Sequence, residues 1–262
     1  RVESDIRESW NAEIRKLTPL TLEDLTEGAV DVDWFRRTHK ALGDQRWARL
    51  DEFAKYASGG AGHKRAQLFA GAILGKLDKP TLIQEIQEKR KQDAIRALGL
   101  IPIDKKGAKK DVLERYRLMQ EFIRGSRQFG SQRQASEKLA ARIAQENLAR
   151  TAGYTDPIRL QWAMEALETA DLANGPVAVQ VKDVVVSLAI DPDGQPEISV
   201  KRGERPLKSI PPDVKKAEVV EELVERRTQL KRSSSRMRLS LEEAMCRGDA
   251  FSGESLIELM NN

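Results

Sequence analysis

Along almost all of this chain, apolar residues return at every third or fourth position, and only near residues 177–200 does the spacing change to every second. A period near 3.6 lets a helix bury one stripe, and a period of two lets a strand bury one face. The sequence therefore predicts a mainly α-helical protein with one small antiparallel hairpin or three-stranded ribbon. Val2, Ile6, Trp10, Ile14 and Leu17 mark the first helical stripe, which Thr18 and Pro19 end. Thr21-Leu-Glu-Asp opens a short helix. Trp34, Leu42, Trp47, Leu50 and Phe53 supply the heaviest apolar anchors of the first half. The run SGGAG at 58–62 breaks the chain, a small-residue helix follows over 63–76, and another over 81–98 ends at Gly99.

Helices resume over 111–124 and 131–152. In the second of these, Leu139, Ala140, Ile143 and Ala144 share the apolar face, with Lys138, Arg142 and Gln145 opposite. Asn147 lies on the apolar side, so its amide must bond a neighbouring backbone or side chain. Asp156 reads as an N-cap before Pro157, and Asn174-Gly-Pro stops that helix. Leu160, Ala163, Met164 and Leu167 face one way, with Trp162 off the stripe. Strands are expected over 177–181, 184–190 and 196–200, with Asp191-Pro-Asp-Gly as a turn. So few strands are marginal alone and must lie on helices or on sequence outside this chain. Charged helices then cover 214–232, 239–247 and 253 to the end.

Helix pairs joined by short turns suggest stacked, solenoid-like hairpins, although no clean repeat period emerges. The polar crossing at 102–110 divides a helical array over 1–101 from a central helical segment over 111–175. A β ribbon over 176–210 and helices over 211–262 complete the expected organisation. The chain starts at Arg1 and stops after a helical-looking run, so it reads as an excerpt of a larger protein.

Charged residues make up 33% and aromatics only 5%, which suits thin helical layers with wet faces. The 45 basic and 41 acidic residues leave +4, the balance of interleaved ion pairs and not of a nucleic-acid-binding field. The single Cys246 cannot close an internal disulfide and suits a reducing cytoplasm. No run approaches the roughly 18–20 apolar residues of a membrane span.

The chemistry-bearing motifs fall short. Gly59-Gly-Ala-Gly-His-Lys and Gly71 to Lys76 both miss the spacing of a phosphate-binding P-loop, and each reads as a helix-to-helix turn. His39 and His63, with one cysteine, cannot make a His/Cys-rich metal site, so packing or surface roles are expected and no cofactor is implied. Glu165 with Glu168, and Glu221, Glu222 and Glu225, read as solvated helix faces. No nucleophile–base arrangement can be assembled, so catalysis would need a site completed by residues elsewhere.

One basic cluster remains. Residues 104–150 hold twelve Lys/Arg against six Asp/Glu. Arg124, Arg127, Arg133, Lys138 and Arg142, with Tyr116, Phe122 and Phe129 interspersed, could contact phosphates and stack bases. The other reading is that these arginines bridge helix ends and acidic faces.

Residues 93–102 (DAIRALGLIP), 126–138 (SRQFGSQRQASEK), 147–154 (NLARTAGY) and 156–165 (DPIRLQWAME) closely resemble a large bacterial family labelled molybdate-metabolism-regulator-like, or MolR-like. Residues 177–209 resemble that family's short β insertion. The resemblance implies a large, mostly helical cytoplasmic protein and offers no catalytic residues to transfer. It also implies protein partners, with MoxR-type AAA+ ATPases and von Willebrand A proteins as genomic neighbours of some members. The expected function is a non-catalytic helical scaffold or protein-interaction module, with nucleic-acid binding through 104–150 as the alternative.

Overall fold

The computed structural model describes residues 4–57 and 61–248. It bears out the mainly helical architecture, with eleven α-helices among the described residues and one four-stranded antiparallel sheet. Residues 58–60 of the glycine-rich break and the helix expected from 253 lie outside the described residues. Two compact units divide the chain, residues 1–161 and 162–262.

In the first unit, α1 (Ser4–Leu17) is followed by α2 (Leu22–Glu27), which starts where Thr21 accepts the Asp24 N–H at 3.1 Å and Asp24 accepts the Thr21 N–H at 2.9 Å. This reciprocal pair satisfies two otherwise orphaned donors. Helix α3 (Val32–Ala57) kinks at Gly43, whose φ of +72° only glycine adopts without strain. Helices α4 (Ala61–Ile73), α5 (Lys79–Lys89), α6 (Gln92–Leu98), α7 (Ala108–Gly125) and α8 (Ser131–Ala152) complete the unit's main elements. Helix α8 is its hub, with α2, α3, α6 and α7 packed against it. Its Ala140, Ala141, Ile143, Ala144, Leu148 and Ala149 are buried. The alanines allow close approach: a Cβ on Gly99 would sit 2.4 Å from the Ala144 carbonyl oxygen.

The helix expected over 81–98 is two helices. Arg90 ends α5 in the left-handed region (φ 49°), with its N–H donating to the Ile86 carbonyl at 3.1 Å and the Lys91 N–H to Glu85 at 3.4 Å. A non-glycine residue costs about 1–2 kcal/mol there, which the buried contacts of the Arg90 side chain offset. The crossing at 102–110 does not separate compact units. Arg115, 2% exposed, donates to the carbonyls of Leu98, Ile101 and Pro102 at 3.2, 2.5 and 3.1 Å and so fixes that crossing to α7. The units part instead between residues 161 and 162, inside α9 (Pro157–Thr169), which begins as expected with Asp156 accepting the Arg159 N–H at 2.9 Å.

In the second unit, β1 (Val177–Val181), β2 (Val184–Ile190), β3 (Pro196–Arg202) and β4 (Arg205–Leu207) pair in chain order. The fourth strand was not expected: Pro206 and its three-residue length hide it, and a tight turn at Gly203 (φ +60°) creates it. Period-two spacing turns Val184, Val186 and Leu188 inward with no exposure. They meet Val220, Leu223 and Leu230 of α11 (Glu218–Arg247), after the short α10 (Pro212–Lys215). The ribbon thus lies on a helix, as its size demands. Helix α11 is continuous through Ser233, Ser234 and Ser235, where two helices were expected; Ser235 Oγ donates to the Lys231 carbonyl at 2.9 Å and stays within the helix.

Candidate functional site

The five basic residues singled out above fall on α7, the turn after it and α8, and three of them are paired within the unit. Arg133 donates to Glu137 at 2.9 Å, Arg142 to Glu27 at 2.9 Å, and Arg124 lies 4.0 Å from Glu121. Arg127 and Lys138 are exposed. The aromatic residues beside them are covered: the Arg133 guanidinium sits 3.6 Å from the centroid of the Phe129 ring, and that of Arg90 sits 4.2 Å from the Phe122 ring. Tyr116 is 3% exposed. The Phe129 and Phe122 rings serve as platforms for the protein's own guanidinium groups, a favourable placement of charge over a π face.

The reason is Glu137, a carboxylate with no exposure. Arg90 reaches it through Nε at 3.2 Å and through Nη2 at 2.5 Å, and also donates to the Phe122 carbonyl at 2.6 Å. Burial pushes the Glu137 carboxyl up, but the bonds from Arg90 and Arg133 outweigh it and hold it below its ordinary value. Gly125 makes room for this junction, since a Cβ there would lie 2.7 Å from the Arg90 guanidinium. The sequence offered no sign of Arg90 because its partner lies 47 residues away.

A second junction is Asn147, fully buried on α8. Its Oδ1 accepts the Val30 N–H at 3.0 Å, and its Nδ2 donates to the carbonyls of Gly28 and Arg96 at 3.1 and 3.3 Å. This is the bonding its position in the sequence required.

A cleft of about 430 Å³ opens between α5, the crossing and α7, lined by Lys79, Asp104, Lys110, Asp111, Glu114 and Arg115 among others. Its charges neutralise one another. Asp111 accepts from Arg115 at 2.9 and 2.6 Å and pairs with Lys79. Burial raises its pKa, but the bonds from Arg115 and Lys79 prevail and hold the carboxyl below its ordinary range. A carboxylate kept ionised between two cations is a weak general base.

His39 lies between Phe35 and Trp47, with Asp44 at 3.5 Å, and His63 is buried. Both have packing environments. Among the described residues, no three His, Cys, Asp or Glu side chains converge on a metal position, and no helix is long and apolar enough to cross a membrane. Glu165 departs from the solvated face expected for it: it is 4% exposed and accepts from Arg236 of α11 at 2.9 Å. Helical spacing within α9 could not reveal a partner 71 residues away.

The largest departure concerns the supposed core anchors. Trp34, Leu50 and Phe53 are 40, 51 and 69% exposed, and Tyr56 is 78% exposed. On α1, Ile6, Trp10 and Leu17 are 45, 57 and 61% exposed. Helical periodicity marked these stripes correctly but could not say whether anything in this chain covers them.

The model of a family of unknown function, DUF5724, matches residues 2–164, which nearly coincide with the first compact unit. The chain belongs to that family. A domain of unknown function, DUF4132, matches residues 205–262, including all of α11. No curated protein and no solved structure matches the chain.

Proposed function

We propose that this DUF5724-family chain is a non-catalytic helical interaction module, a scaffold segment of a larger cytoplasmic protein that seats protein partners on its first unit. The reading rests on the second half of α3, where Leu50, Phe53 and Tyr56 follow one another at three-residue steps with 51, 69 and 78% exposure. Burying a large apolar side chain is worth about 1.5–3 kcal/mol, so three left in water on one helix favour a partner. Aromatic residues clustered this way are enriched in interface cores, and a helix face with such anchors suits groove binding. The paired state of the cleft carboxylate supports a structural over a catalytic role. The free, exposed Cys246 supports a reducing compartment.

The first partners to test are those implied by the MolR-like resemblance, an AAA+ ATPase and a von Willebrand A protein. A photo-crosslinking residue at position 49, exposed on α3 one turn before Phe53, should capture one of them in the parent protein, and adding Phe53→Ser with Tyr56→Ser should abolish capture without lowering stability. Undiminished association in the double variant would remove this face from the interface.

A further inference from the structure

A further basic stretch lies outside the segment the sequence drew attention to. From Arg226 to Arg238 there are six Lys/Arg, and no Asp or Glu occurs from 226 to 241. All six lie on α11. Three are engaged by the second unit: Arg226 with Asp171, Arg227 with the Pro196 carbonyl at 3.3 Å, and Arg236 with Glu165 at 2.9 Å. Lys231, Arg232 and Arg238 are exposed and, among the described residues, have no ion-pair partner. Glu242 follows one turn after Arg238 and forms no ion pair with it.

At 3.6 residues per turn, Lys231, Arg232 and Arg238 fall within an arc of about 120°, and Lys231 and Arg238 stand about 10 Å apart along the axis. The helix is held from another side, because Leu230 belongs to the core with the sheet. The three cations are therefore a fixed row and not a mobile tail. A membrane-surface helix would need a continuous apolar face free for lipid, but here Val220, Leu223 and Leu230 are packed in the core with the sheet, and the exposed Leu239 and Met245, six residues apart, do not make such a face. A row of unpaired cations on a helix about 10–12 Å across fits the phosphate-lined major groove of a duplex, about 12 Å wide.

We infer that Lys231, Arg232 and Arg238 form a phosphate-contacting row for double-stranded nucleic acid, binding it without reading its sequence. The contact is independent of the apolar face on α3 and of the 104–150 segment. Three phosphates neutralised on a B-form duplex give a salt slope near −2.7, or about a 40-fold loss of affinity between 50 and 200 mM salt.

The test is fluorescence anisotropy of the full chain with a labelled mixed-sequence DNA duplex across that salt range. Combined Lys231→Glu, Arg232→Glu and Arg238→Glu should reduce affinity more than tenfold at low salt and flatten the slope. The neutral set Lys231→Gln, Arg232→Gln and Arg238→Gln should do so to a lesser degree with the helical circular dichroism unchanged. Arg127→Glu with Lys138→Glu should leave binding intact. Absence of salt-sensitive duplex binding would overturn the inference. So would equal loss in the Arg127/Lys138 variant, equal competition by polyglutamate, or binding to phosphatidylserine vesicles in place of the duplex.

Discussion

Replacing Asn147 with alanine removes the amide that ties three segments of the first unit together. The Val30 N–H and the carbonyls of Gly28 and Arg96 lose partners at 3.0, 3.1 and 3.3 Å, at a site with no exposure. A buried polar group left unpaired costs about 1–3 kcal/mol. A carbonyl tolerates this better than an N–H, so we count Val30 at about 2 kcal/mol and the two carbonyls at about 1 kcal/mol each. The sum, about 4 kcal/mol, is a large part of the roughly 5–15 kcal/mol that holds a domain folded. For a unit of this size it lowers the melting temperature by about 8–16 °C. Thermal unfolding followed by circular dichroism gives the magnitude, and hydrogen exchange of the Val30 amide gives the location. Asn147→Asp preserves the shape but turns lone pairs toward the Gly28 and Arg96 carbonyls, so it should fall at least as far. A loss under about 1 kcal/mol in Asn147→Ala, with Val30 still protected, would refute the claim that this amide couples the segments.

Gly99→Ala should destabilise the first unit by about 2 kcal/mol or more, because the new methyl meets the Ala144 carbonyl oxygen and the Leu148 nitrogen at 2.4 and 2.9 Å, both backbone atoms; a denaturation midpoint equal to wild type would contradict that close approach. Glu137 supplies a pH signature. Its folded-state pKa lies below the ordinary 4.5, so the unfolded chain takes up the proton first and the stability it contributes, complete above 4.5, disappears as pH falls through the depressed value. Glu137→Gln should be less stable at pH 7 and show a shallower decline below pH 5, measured by urea unfolding at several pH values.

The repeat of apolar residues was enough to place α8 at residues 131–152, to locate the three longer strands and to require a bonding partner for Asn147. Each of these follows from periods and caps that act within a few residues. Even the N-cap at Asp156 and the reciprocal cap at Thr21 are local. Long-range pairing decided the rest. Arg90 could end a helix in the left-handed region only because Glu137 and the Phe122 carbonyl receive its side chain. The arginines near Phe129 became internal ties for the same reason.

The sequence by itself determined that the chain is mainly helical with one ribbon, since hydrophobic period and turn chemistry are written residue by residue. Only the tertiary structure decided which stripes are covered. A stripe such as Leu50, Phe53 and Tyr56 has the same spacing whether it meets a neighbouring helix or water. Charge behaves likewise: Arg133 and Arg238 are equivalent as letters, and the presence of a buried carboxylate within reach of only the first separates a structural tie from an open cation.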